Sequence, residues 1–270
     1  MTRLRHWIAD RWVISSAVLV LAYLFLPVAY TLVFSFNNYR KSNIAWNPEG
    51  SPTLAHWLNP CGPPGICEAL VTSLEVGLLA TLVATVLGTM IAFALVRHKF
   101  VGRGPTNWVI FIPMATPEIV LGASLLTLFV QGFTFLSLGF WTIVIAHVMF
   151  CVSFVVVTVK ARLQSLDPRI EEAAADLYAD PRSAFVRVTF PLVLPGIVSA
   201  ALLSFSLSFD DFIITNFISG DVNTFPKFVY VSYLRGIPAQ ANVIGFALFL
   251  FAVVLVIAGQ LVGSLRNRRG

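Results

Sequence analysis

Four carboxylates, Glu75, Glu118, Asp210 and Asp211, interrupt stretches of sequence that are otherwise almost entirely apolar. An ionised carboxylate in a low-dielectric interior is costly unless it faces a polar cavity or a partner, so it marks a pathway or a polar contact rather than a lipid-facing surface. Because all four are acidic, the chemistry they support is reversible, noncovalent attraction of a cation, and they work against a free anion. Glu118 carries a second signal, since Pro113 and Pro117 precede it in Ile-Pro-Met-Ala-Thr-Pro-Glu. The prolines interrupt a helix here, and Thr116 can cap a half-helix starting at Pro117. Breaks of this kind are tolerated at membrane depth where the backbone lines a cavity. The competing reading is a proline kink in which neighbouring donors satisfy Glu118.

Asp210 and Asp211 differ by about 100° around a helix, so they cannot point along one stripe. On a continuous helix Ser204, Ser208, Asp211 and Thr215 share a face, whereas Asp210 lies with Leu203, Leu207, Ile214 and Phe217. This pattern favours Asp211, with Ser208, as pathway-lining and assigns Asp210 to helix contact. The alternatives are that a bend exposes both, or that the pair serves packing alone.

The elements that must hold these residues follow from composition. A chain that is 57% hydrophobic and 11% charged, with 23 Phe and a mean hydropathy of +0.83, is not disordered and is extreme for a soluble domain. A spanning helix needs roughly 20 mostly apolar residues. Stretches of that kind occupy 13–36, 69–96, 107–131, 138–160, 191–218 and 241–264. The expected fold is all-α, a polytopic membrane protein of about six transmembrane helices, with no domain boundary visible across 1–270. The first stretch is too long for an ordinary cleaved signal peptide and reads as a retained span. At about 1.5 Å per residue, Glu118 lies roughly 15–20 Å from the cytoplasmic start of its span, near the midplane, and Glu75 roughly 10 Å below the outer surface.

Of the 18 Lys and Arg residues, all but Arg40, Lys41, Lys227 and Arg235 fall at the N-terminus, around Arg97–Arg103, between Lys160 and Arg187, or in the tail. The positive-inside rule places both termini and the 160–187 region in the cytoplasm. The net charge of +5 is then a topology signal and a set of anchors to anionic lipid, requiring no nucleic acid. The chain has neither a Walker A loop nor a Gly-rich dinucleotide turn, so energy for any active process comes from a partner or a gradient. Cys61 and Cys67 enclose Gly-Pro-Pro-Gly-Ile in the first outer loop and can form a disulfide, although spacing does not settle their Cα geometry. With His56 they lack a fourth ligand and zinc spacing, so no metal is assigned. His147, inside a span, is either hydrogen-bonded within the bundle or a proton relay.

The clearest polar signature lies between apolar spans, at about 164–191. Asp167 can serve as N-cap with Pro168 as first helical residue, and Glu171 and Glu172 sit at the positive end of the helix dipole. Ile170, Ala173, Ala174 and Leu177 recur on one face until Asp180-Pro181 repeats the cap-and-start signal. Two short helices joined by a tight turn are expected.

This stretch resembles the EAA loop of permease subunits of ATP-binding-cassette (ABC) importers, whose pattern is Glu-Ala-Ala, three residues, Gly, nine residues, Ile, one residue, Leu-Pro. Glu172, Ala173, Ala174, Tyr178, Val188, Phe190 and Pro191 occupy the matching positions, with Tyr178 replacing Gly. Thr-Pro-Glu-Ile-Val at 116–120, Phe-Val-Val-Val-Thr-Val at 154–159 and Leu-Ser-Phe-Ser-Leu-Ser-Phe-Asp-Asp-Phe at 203–212 extend the similarity, from about residue 68 onward, to the second permease subunit of spermidine/putrescine importers.

The resemblance implies a permease subunit of the inner membrane of a prokaryote that imports a polyamine by alternating access. It implies four partners besides lipid: a second permease, two copies of a cytoplasmic ATPase and an extracytoplasmic solute-binding protein. This chain itself would carry no cofactor, and ATP and Mg would belong to the partner ATPase. Glu172, Ala173, Ala174, Leu177, Tyr178 and Pro191 would form the ATPase-coupling element. Trp57 sits where that family has a Trp able to face substrate, and it offers either a cation–π surface or an interfacial aromatic anchor. Importers of organophosphonate or ferric iron have similar permeases, and acidic lining argues against a free anion but not against Fe³⁺. A gradient-driven secondary transporter using an intramembrane carboxylate is the reading outside the ABC class.

Overall fold

The protein is described by a computed structural model covering residues 2–39, 42–167 and 169–267; the expected helix start at Pro168, the tail arginines Arg268 and Arg269, and Arg40 and Lys41 lie outside these residues. Among the described residues every regular element is helical: α1 Thr2–Ser35, α2 Ala55–Leu58, α3 Ile66–Arg97, α4 Arg103–Ala115, α5 Glu118–Thr127, α6 Phe140–Gln164, α7 Arg169–Asp176, α8 Pro181–Ala184, α9 Phe190–Asp210, α10 Ile213–Ile218, α11 Phe225–Arg235 and α12 Ala239–Asn267. Wide π turns extend α5 through Leu128–Gly132 and join α8 to α9 through Phe185–Thr189.

Arg11–Ser35, Ile66–Arg97, Phe140–Gln164, Pro181–Asp210 and Ala239–Gly259 are each long and apolar enough to cross a membrane. The pair Arg103–Ala115 and Glu118–Gly132 makes a sixth if taken as one span, but it bends by 105°. Proline disfavours helical backbone in the residue before it. Thr116 is accordingly extended at ψ 131, and Pro117 follows at ψ 132. The expected capping by Thr116 does not occur: its hydroxyl donates backward to Ile112 O at 2.7 Å, and Pro117 occupies the N-cap of α5. A second departure concerns the fifth span, expected to run through 218. It stops at Asp210, and Asp211 is extended at ψ 121 before α10 begins.

Where the sequence offers no boundary, the chain divides into two compact units, residues 68–228 and residues 1–67 with 229–270. In the first, α6 is the central helix, burying Ile143, Ala146, Phe150, Cys151, Val155 and Val159. Its neighbours approach through small residues. Ala200, Ser204 and Ser208 of α9 recur every fourth position and are buried, and Cys151 Sγ lies 3.5 Å from Ser204 O. On α3, a Cβ at Gly88 would lie 2.6 Å from Val155 Cγ1, so Gly permits that crossing.

In the other unit α1 packs on α12, with Phe25 and Phe249 edge to face at 6.4 Å. The loop after α1 is knitted by buried asparagines. Asn37 Nδ2 donates to Asn43 Oδ1 at 2.6 Å, Asn43 Nδ2 to Phe34 O at 2.8 Å, and Asn43 N to Ile237 O at 2.8 Å. Cys61 and Cys67 are joined as a disulfide with Cα atoms 5.4 Å apart, a separation that bond requires.

Candidate functional site

The polar segment after α6 forms the expected pair of short helices. Asp167 turns the chain into α7 by accepting from Arg169 N at 3.0 Å, and Asp180 caps α8 by accepting from Ser183 N at 3.2 Å, with Pro181 at the first helical position. Arg97, at the end of α3, donates to Glu171 Oε1 at 2.6 Å, and Thr189 Oγ1 donates to the same oxygen at 2.8 Å. Glu171 therefore ties the segment down, while Glu172 and Ala173 remain exposed. Nothing in the spacing of the sequence distinguished the two glutamates. A groove of about 910 Å³ separates the segment from the end of α3, lined by Phe93, Arg97, Glu171, Phe185 and Phe190 among others.

Tyr178 occupies the turn between the helices with φ +61. Ala179 N bonds back to Ala174 O at 3.1 Å, the long bond that closes a helix with a left-handed residue after it. The turn that Gly ordinarily makes is thus retained with a tyrosine. The Tyr178 side chain is 98% exposed, and Leu177 is 82% exposed beside it, so both project from the segment instead of packing on it. A left-handed non-Gly residue costs about 1 kcal/mol relative to Gly. Tyr178→Gly is expected to slow hydrogen exchange at the Ala179 amide about fivefold in the purified protein, and unchanged or faster exchange would contradict this account of the turn.

The acids divide by environment. Glu75, Glu118, Glu172 and Asp210 are exposed in this chain. Asp211 is not: its side chain is 6% accessible and its Oδ2 accepts from Thr215 N and Thr215 Oγ1, both at 2.9 Å, with His147 Nε2 3.2 Å away. Its Oδ1 accepts from Ile214 N at 3.3 Å. These contacts reverse the expectation from the helical stripe, which assumed a helix continuous through residue 218. Asp211 is the packed carboxylate, Asp210 is the accessible one, and Ser208 is buried against His147.

His147 is hydrogen-bonded within its unit, the first of its two readings. Glu118 opens α5 beyond the 105° break, and α5 packs on α10, where a Cβ at Gly122 would lie 2.7 Å from the Phe217 ring. Trp57, in the other unit, stacks on Phe36 at 5.8 Å and donates from Nε1 to Ser35 Oγ at 3.0 Å, so its ring is held as a packed aromatic.

One cation was missed in the sequence. Lys227 Nζ donates to Ser219 Oγ at 2.7 Å, Gly220 O at 2.9 Å and Val222 O at 3.0 Å, pinning the loop after α10. Burial lowers its pKa from the usual lysine value. A lone loop lysine carries no sequence signal for such a role.

The chain thus combines membrane-length apolar helices, one of them broken at Pro117, with an anchored pair of short polar helices between two of them. Residues 84–269 match the family of the binding-protein-dependent transport system inner membrane component, and the chain belongs to that family. It is 33% identical over 92% of its length, and 95% of the relative's, to the spermidine/putrescine transport system permease protein PotC of Haemophilus influenzae. It is 34% identical to the putrescine transport system permease protein PotI of Escherichia coli K12, covering 91% of this chain and 88% of that one. Among solved structures it resembles a bacterial alginate ABC transporter in complex with alginate pentasaccharide-bound periplasmic protein, with a TM-score of 0.67, 15% identity, and coverage of 94% of this chain and 92% of that one. The MetNI methionine ABC transporter in an inward-facing form gives a TM-score of 0.57 at 17% identity over 73% of this chain and 92% of that one. The chain is therefore a transport subunit of an ABC importer and not an enzyme.

Proposed function

We propose that this chain imports polyamines, spermidine or putrescine, as one of two permease subunits served by two copies of a cytoplasmic ATPase and an extracytoplasmic binding protein. The observation that carries the reading is the pair of exposed carboxylates, Glu118 and Asp210, each placed at a helix break in a chain about one-third identical to polyamine permeases. An extended polycation has ammonium groups at intervals, and separate carboxylates can receive them successively. Binding must stay moderate, because an ammonium held by desolvated carboxylates would not leave. Glu75 lies nearer the outer surface on the same account, and Trp57 contributes as a packed aromatic at the outer loop.

The exposed Glu172 and Ala173 of α7, with the half-buried Ala174 beside them and the projecting Leu177 and Tyr178, dock on the ATPase, whose ATP and Mg drive the change of access. Pro191 closes this element. Glu171 transmits the movement to α3 through Arg97. Both termini and the coupling segment lie in the cytoplasm, in the plasma membrane of a prokaryote.

The assembly is tested by tagging the chain after Gly270 and purifying it from its native host. A second permease and an ATPase are expected to copurify, the tag is expected to be protected in intact cells, and a membrane-impermeant thiol reagent is expected to reach Cys61 and Cys67 from outside after reduction. Purification without an ATPase, or a tag exposed outside, would contradict the reading.

A further inference from the structure

The α9–α10 break has no glycine or proline to cause it: the sequence across it is Ser-Phe-Asp-Asp-Phe-Ile-Ile-Thr. Two contacts hold it. The Asp211 carboxylate accepts from two backbone N–H groups in the first turn of α10, at Ile214 and Thr215, and the His147 ring reaches from α6 to both sides of the interruption. Nδ1 lies 2.8 Å from Ser208 Oγ, on the last turn before the break, and Nε2 lies 3.0 Å from Thr215 Oγ1 and 3.2 Å from Asp211 Oδ2, after it. The imidazole is 2% accessible, and each ring nitrogen has a partner. With the proton on Nε2, Ser208 donates to Nδ1 while Nε2 donates toward Asp211 and Thr215, so a neutral ring satisfies every group.

We propose that His147 is a positioning residue for transport: it staples α9 to α10 across the break and so fixes the direction in which the neighbouring, exposed Asp210 presents its carboxylate. The inference rests on the reading of Asp210 as a polyamine contact. Asp211 then has no contact with the solute. It caps α10, and His147 Nε2 lies 3.2 Å from it as a hydrogen-bond donor. Without the staple the break would relax toward the continuous helix that local sequence favours, which turns Asp210 toward the face it would share with Leu203 and Leu207.

The test uses the full complex of both permeases, ATPase and binding protein in proteoliposomes, and reads labelled spermidine transported per ATP hydrolysed. A general loss of folding lowers both rates together and leaves the ratio unchanged, whereas a misdirected Asp210 lets ATP be spent without transfer. His147→Asn, too short to reach both sides, is expected to lower the ratio about fivefold, and His147→Gln, longer and able both to donate and to accept, to stay within about twofold of the unsubstituted complex. Because His147 acts through Asp210, the double variant His147→Asn with Asp210→Asn is expected to be no worse than Asp210→Asn alone.

An unchanged ratio in His147→Asn, or losses that multiply in the double variant, would overturn the proposal. If His147→Asn fails to assemble, Ser208→Ala, which removes the Nδ1 partner, decides: a ratio lowered about twofold or more supports the staple and an unchanged ratio overturns it. A complex with neither substitution that moves no spermidine would instead sink the polyamine reading, and the two failures are thus distinguishable.

Discussion

Neutralising the exposed carboxylates, by Asp210→Asn and Glu118→Gln, is expected to lower polyamine uptake at least tenfold each with normal assembly. Both substitutions keep size and hydrogen-bonding capacity and remove only charge. A charge-assisted hydrogen bond is worth on the order of 1.5–3 kcal/mol, which is roughly ten- to more than a hundredfold in an equilibrium. Both side chains are exposed within this chain, so neither loss leaves a buried partner stranded. Asp211→Asn should behave differently. That carboxylate accepts from two backbone N–H groups and Thr215 Oγ1 beside His147, and an amide oxygen can replace some but not all of these contacts. The expected mark of Asp211→Asn is a lower yield of assembled complex. Equal-expression uptake assays with labelled spermidine and putrescine check all three variants, and undiminished transport in both Asp210→Asn and Glu118→Gln would remove the acidic path.

Charge reversal at Glu172 is expected to uncouple the permease without unfolding it. Glu172 is exposed on α7, while Glu171 beside it is bound by Arg97 and Thr189, so Glu172→Lys leaves the internal anchor of the segment intact. A reversed charge on a docking surface costs about 2 kcal/mol or more of partner affinity, roughly thirtyfold. Substrate-stimulated ATP hydrolysis should therefore fall about thirtyfold at wild-type membrane levels. Glu171→Gln is the control, because its amide oxygen can still accept from Arg97 and Thr189. Normal stimulation in Glu172→Lys would remove Glu172 from the coupling surface.

Much of the architecture could be read from apolar length and proline placement. The spans at 69–96, 138–160 and 241–264 correspond to α3, α6 and the greater part of α12, because roughly 20 apolar residues admit few other arrangements. The cap at Asp180-Pro181 and the break at Pro117 follow from local chemistry and appear where expected. What was not legible depends on contacts between distant residues. His147 and Asp211 are 64 positions apart in sequence, and the contact between them at the α9–α10 break leaves no mark in residue spacing. The preference for Asp211 over Asp210 assumed a helix continuous at that point, which the structure interrupts. Tyr178 was unreadable for a different reason: the left-handed turn is held by Ala179 N and Ala174 O, and a tyrosine accepts the strain where sequence rules expect glycine.

The most direct measurement is uptake of labelled spermidine into proteoliposomes holding this chain, its partner permease and the ATPase, with binding protein supplied on the outer side. The account predicts uptake that requires ATP on the ATPase side, that excess unlabelled putrescine inhibits and that an uncharged solute of similar length does not. Uptake that proceeds without ATP on an ion gradient, or ATP-driven transport that ignores polyamines, would contradict it.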